Sequence, residues 1–146
     1  MDKRTAFMEL SALLTGLYRI VNDPEVKRLN ESTAEQYLRV LMGEFPGRLQ
    51  ALLDAYVRLA SATPKPAIDD SLLTKLRGEP EFTAHTFVAI QIVNIWYFSQ
   101  FRVVENDKNA PLIDGGFFPR GFVWEVVKAH PTGFSDQPFG YWTKQP

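Results

Sequence analysis

The chain has 146 residues, which fits one domain long enough to bury a real core. Apolar residues make up 45% and charged residues 23%, a balance that excludes a disordered chain. The net charge of −1 argues against nucleic acid as the main partner, and the lack of cysteine removes disulfides, thiolate metal sites, iron–sulfur ligation and thiol catalysis.

Residues 5 to 21 read as one helix, because Phe7, Leu10, Leu13, Leu14, Leu17 and Val21 recur at three- and four-residue spacing. Asn22, Asp23 and Pro24 stop it. Ser32 or Thr33 caps a second helix with Tyr37, Leu38, Leu41 and Met42 on its apolar face, ending near Gly43. Phe45-Pro46-Gly47 reads as a turn. A third helix then carries Leu49, Leu52, Leu53 and Tyr56 inward. Thr63-Pro64-Lys65-Pro66 is a stiff linker, and Asp69 or Asp70 caps a short helix closed by Gly78.

The longest helix is expected from about Pro80 to Val103. Phe87, Ile90, Val93, Asn94, Tyr97 and Phe101 mark one face, while Ile92, Ile95, Trp96 and Phe98 spread the apolar surface round the helix. A helix apolar nearly all round is buried on most sides, either centrally in its own bundle or partly by another protein. Its most apolar stretch, Phe87 to Phe98, is interrupted by Gln91 and Asn94 and is shorter than the ~20 residues that span a bilayer. No membrane insertion is expected. The opening Met1-Asp2-Lys3-Arg4 lacks the features of a signal peptide, so no export signal is expected in the chain as written.

After Glu105 the texture changes. Five of the nine glycines, five of the ten prolines and eight of the nineteen aromatics fall between Asn106 and Pro146, a composition unable to build its own core. The expected fold is therefore an all-α bundle of about five helices over 1–105, with an irregular aromatic- and Gly/Pro-rich C-terminal arm over 106–146.

Candidate chemistry is sparse. Glu81 and His85 stand four apart, as two metal ligands on a helix do, but His130 is the only other histidine, so a helix-face pair is the plainer reading. His130 precedes the turn Pro131-Thr132-Gly133, and no nucleophile is nominated beside it. Glu105, Asp107 and Asp114 lie in polar sequence suited to capping and loop roles rather than acid–base work. Asp114-Gly115-Gly116 lacks the spacing of a dinucleotide fingerprint and reads as a turn. No catalytic, cofactor-binding or metal residue is expected, and no cofactor in this chain.

Three regions carry a resemblance. Phe7-Met8-Glu9-Leu10-Ser11-Ala12-Leu13-Leu14-Thr15-Gly16 spells F-x-x-L-S-x-x-L-T-G. Ile90 to Tyr97 ends in Trp96-Tyr97, with Glu105 and Ala110 downstream. The tail from Trp124 to Pro146 holds Pro131, Gly133 and Phe134 and then Trp142 and Pro146. In this order and spacing the chain resembles the small subunit of membrane-associated, FAD-dependent sugar and polyol dehydrogenase complexes, the sorbitol, fructose and glucose dehydrogenases. The resemblance implies an accessory role. A large subunit holds FAD and oxidises the sugar, a multihaem cytochrome c takes the electrons, and the small subunit supports folding and export of the large one. Many such small subunits carry a twin-arginine signal. Its lack here leaves two expectations: the periplasmic side of the inner membrane if the signal was removed, and the cytoplasm otherwise.

Trp and Tyr are favoured contact residues because they bury much area at low entropic cost. The expected partner-binding residues are Trp96, Tyr97, Phe101, Trp124, Phe134, Tyr141 and Trp142. Rival readings are a stand-alone polyol dehydrogenase, against which the missing cofactor fingerprint stands, and a helical domain that self-associates through the same apolar surface.

Overall fold

The structure is a computed structural model, and it describes residues 1–127. The fold is an all-α bundle. Five helices of eight residues or more are present among the described residues: α1 (Lys3–Thr15), α3 (Pro24–Glu44), α4 (Pro46–Ala60), α5 (Asp70–Arg77) and α7 (Thr86–Phe98). Short helical segments join them: α2 (Arg19–Asn22), α6 (Pro80–Ala84) and α8 (Val123–Val126).

Local chemistry sets most boundaries. Asp2 caps α1, accepting from the Thr5 N–H at 3.0 Å and the Thr5 hydroxyl at 2.6 Å. Gly16, at φ 74°, ends α1 in the left-handed conformation. The helix expected over 5–21 is therefore two, with the apolar stripe resuming in α2. Asp23 and Pro24 do more than stop a helix. The Asp23 carboxylate accepts from the N–H groups of Glu25 and Val26, and Pro24 takes the first position of α3. That helix begins well before Ser32, and Thr33 lies buried inside it. Pro46 likewise opens α4 instead of forming a turn, while Asp69 caps α5 through the N–H groups of Ser71 and Leu72.

The long helix expected over 80–103 is shorter and broken. At His85 (φ −124°, ψ 27°) the backbone leaves helical geometry between α6 and α7. Ser99, left-handed at φ 52°, ends α7. Immediately after it, β1 (Gln100–Phe101) pairs antiparallel with β2 (Ile113–Asp114), matching Gln100 with Asp114 and Phe101 with Ile113.

The core lies between α1, α3, α4 and α7, with Phe7, Leu10, Tyr37, Leu41, Leu52 and Ile92 fully buried. Residues 106–127 lie across the end of this bundle, placing Ile113, Phe117 and Phe122 against the core.

Candidate partner-binding surface

Helix α7 has two unlike sides. Val88, Ile92, Ile95 and Trp96 point into the core and are fully or almost fully buried. The opposite arc carries Ile90, Val93, Asn94 and Tyr97, spaced three and four residues apart, and Ile90 is 50% exposed. Phe98, at the end of the helix, is 47% exposed. An apolar arc facing outward is costly to leave in water, which makes this side of α7 the candidate contact surface.

The loop after β2 extends this surface. Phe117 N–H donates to the Ser99 hydroxyl at 2.9 Å, and Gly115 N–H donates to the Ser99 carbonyl. Phe122 N–H donates to the Trp96 carbonyl at 3.1 Å. These bonds satisfy carbonyls and a hydroxyl at the end of α7 that the helix itself leaves open. They also hold the loop after β2 against the end of α7, where Gly121 lies close to the Tyr97 carbonyl. The Phe118 and Trp124 rings meet edge to face at 5.2 Å, and the Trp124 indole N–H donates to the Phe118 carbonyl at 3.0 Å. Val126 and Val127, at the end of α8, are exposed as well. At the rim of this surface Arg19 pairs with Glu125 and lies over the Phe122 ring.

The expected contact residues divide. Tyr97 and Trp124 lie on this surface, both half-buried, and the Tyr97 hydroxyl donates to the Thr15 carbonyl at 3.2 Å. Trp96 (1% exposed) and Phe101 (0%) do not. Trp96 stacks on Phe122 at 5.9 Å and meets the Tyr37 ring edge to face at 5.2 Å, while Phe101 packs on Phe45. Both side chains thus serve the core of this structure, where packing against Tyr37, Phe45 and Phe122 buries them. Phe134, Tyr141 and Trp142 lie outside the described residues. Ile90, Phe98 and Phe118 are exposed here as well, although they are not among the expected contact residues.

No known family profile, curated protein or solved structure matches the chain.

The remaining candidate residues hold loops and helices together. Arg58 bridges Glu79 at 2.7 Å and Glu81 at 2.8 Å, so Glu81 has a cation partner other than His85. The backbone N–H of Glu81 itself, and then Arg58, hold the Glu81 carboxyl below its ordinary range. Glu105 pairs with Arg48, and the Asp107 carboxylate accepts from the Asn109 N–H. Asp114 accepts from the Gly116 N–H at 2.7 Å, closing a turn in which Gly116 sits at φ 91°. Arg102 organises the loop between β1 and β2 by donating to the carbonyls of Lys108 and Ala110, while its own N–H donates to the buried Gln91 side chain.

One polar cluster had no sequence signal, because its members lie far apart in the chain. Glu9 on α1 accepts from the Tyr56 hydroxyl and from Lys65 Nζ, each at 2.8 Å. Burial, and then the bond to Glu9, push the Tyr56 hydroxyl strongly upward, so it stays a neutral donor. This cluster ties α1 to α4 and to the linker after it. Among the described residues no group of three or more Asp, Glu or His side chains is arranged to hold a metal, and no helix is long and apolar enough to cross a membrane.

Proposed function

We propose that this chain is a non-catalytic small subunit that binds a large FAD-dependent sugar or polyol dehydrogenase and supports its folding, maturation or export. The observation that supports the docking part is the exposed apolar surface of α7 and the loop bonded to its end, with the ring pairs Tyr97–Phe98 and Phe118–Trp124 and the exposed Phe98 and Phe118. Aromatic residues at the centre of a patch with a polar rim have the anatomy of a protein contact. The nature of the partner rests on the resemblance in the α1 motif, the Trp96-Tyr97 helix and the C-terminal tail. The flavin belongs to that partner, and a multihaem cytochrome c completes the electron path.

Light scattering of the chain, alone and co-expressed with the large FAD-containing subunit of a sugar or polyol dehydrogenase, tests this reading. A stable mixed complex supports it. A chain that pairs only with itself favours the self-association reading, and a lone chain that binds flavin and oxidises a sugar alcohol supports the enzyme reading.

A further inference from the structure

Where α3 meets the loop after β2, a depression of about 290 Å³ is lined by Ser32, Glu35, Gln36 and Arg39 of the helix and by Phe117 of the loop. Its volume is at the lower edge of the range for small-ligand sites. Donors gather there. Arg39 donates to the Gln36 side-chain oxygen, and the Gln36 amide nitrogen lies against Gly116, 3.3 Å from where a Cβ would stand. Arg120 reaches the same stretch of α3 from the loop. Its guanidinium lies 5.2 Å from the Phe117 ring centroid and donates to the buried Thr33 hydroxyl at 3.3 Å. Neither Arg39 nor Arg120 has a carboxylate partner among the described residues. Glu35 is the only carboxylate among the lining residues, and the Asp114 carboxylate in the adjoining turn is engaged by the Gly116 N–H. Two guanidinium groups against Glu35 leave one positive charge in excess, next to an aromatic ring.

We infer that this depression binds a small monoanionic carboxylate with a flat apolar body. The guanidinium fork matches the two oxygens of a carboxylate, so Arg39 and Arg120 hold the charged end. The Ser32 hydroxyl and the Gln36 amide nitrogen are further donors for it. The apolar body rests on Phe117, where ring-to-ring contact adds to the area buried. Glu35 sets the charge of the ligand. Its carboxylate repels a second negative charge at this place, so a dianion such as phosphate is a poorer fit than a carboxylate. None of the lining residues belongs to the docking surface on α7, so the site stays open when that surface is covered.

The isolated full-length chain provides the test, so the result is independent of the dehydrogenase reading. Benzoate is the probe, titrated while the NMR signals of Ser32, Gln36, Arg39, Phe117 and Arg120 are followed. Benzamide keeps the ring without the charge, and acetate keeps the charge without the ring. Benzoate should shift these signals to saturation, with an affinity about tenfold above that of either control. Arg39→Gln and Arg120→Gln should each weaken benzoate by about fivefold, while Glu35→Gln should strengthen it by about twofold to fivefold, as exposed charges do. All three side chains lie on or near the surface, so the variants stay folded, which circular dichroism checks. Equal affinities for the three probes, shifts confined to other parts of the chain, or benzoate binding indifferent to the arginine and Glu35 variants would overturn the proposal.

Discussion

A Cβ on Gly121 would lie 2.6 Å from the carbonyl oxygen of Tyr97, a separation that real Cβ atoms do not tolerate. Next to it, Phe122 N–H bonds the Trp96 carbonyl. The absence of a side chain at residue 121 therefore lets the loop after β2 close on the end of α7. Gly115 does the same one turn earlier, where a Cβ would meet Ile95 at 2.9 Å and the Ser99 carbonyl at 3.0 Å.

Gly121→Ala is expected to cost about 1–3 kcal/mol, the range for forcing extra volume into a packed contact. The control is Gly43→Ala inside α3, where nothing lies within 4 Å of the new methyl group. It should stabilise by about 0.5–1 kcal/mol through the lost freedom of the unfolded chain. Denaturant unfolding of both variants checks the contrast, which equal effects would contradict.

Trp96 and Trp124 should part company. Trp96→Ala empties a core site and is expected to cost about 3–5 kcal/mol. Trp124→Ala removes a half-buried ring and one hydrogen bond, so its cost should be nearer 1 kcal/mol. Thermal unfolding separates the two, and a surface-like cost at Trp96 would contradict its placement in the core.

Tyr56 gives the molecule an alkaline limb. Its folded value is raised above the ordinary 10.0, so the unfolded state loses the proton first as pH rises. Stability from this group is full below pH 10.0 and declines as pH climbs towards the folded value. Tyr56→Phe should lower stability by about 1 kcal/mol at neutral pH, from the lost bond to Glu9, and flatten the decline above pH 10.0. Unfolding titrated across neutral and alkaline pH tests this, and an unchanged alkaline slope would contradict it.

The carboxylate caps offer a further check. Asp23→Ala leaves the N–H groups of Glu25 and Val26 without their side-chain acceptor and should cost about 1 kcal/mol. Asp23→Asn should retain most of it. Circular dichroism melts distinguish the two variants.

Which parts of this fold can be read from sequence follows from where the information lies. Caps, leading prolines and the α1 stripe are local, and where one of them is unambiguous, as at Asp69, it marks a helix start, whereas Ser32 and Thr33 lie inside α3 and Pro46 opens a helix in place of a turn. Asp23-Pro24 misleads only because the same dipeptide ends one helix and begins the next. The break at His85 has no glycine or proline to announce it. Helix α7 is apolar on nearly every side, so periodicity alone does not decide which arc faces inward. Tertiary packing turns Trp96 into the core and Tyr97 and Phe98 outward. Phe101 is drawn inside by a strand pair whose partner lies twelve residues on, beyond the reach of local pattern. The Glu9–Tyr56–Lys65 cluster is invisible for the same reason.

The central claim is that the ring-bearing end of α7 seats a larger flavoprotein while this chain performs no redox chemistry. Its most direct test is co-purification of the tagged chain with a co-expressed large FAD-containing subunit of a sugar or polyol dehydrogenase, comparing wild type with Phe98→Ala/Trp124→Ala at matched folded content. The account predicts that wild type brings the yellow protein with it, that the double variant loses it, and that the chain alone is colourless and inactive. A double variant that retains the flavoprotein undiminished, or a lone chain that binds flavin and turns over a sugar alcohol, would contradict it.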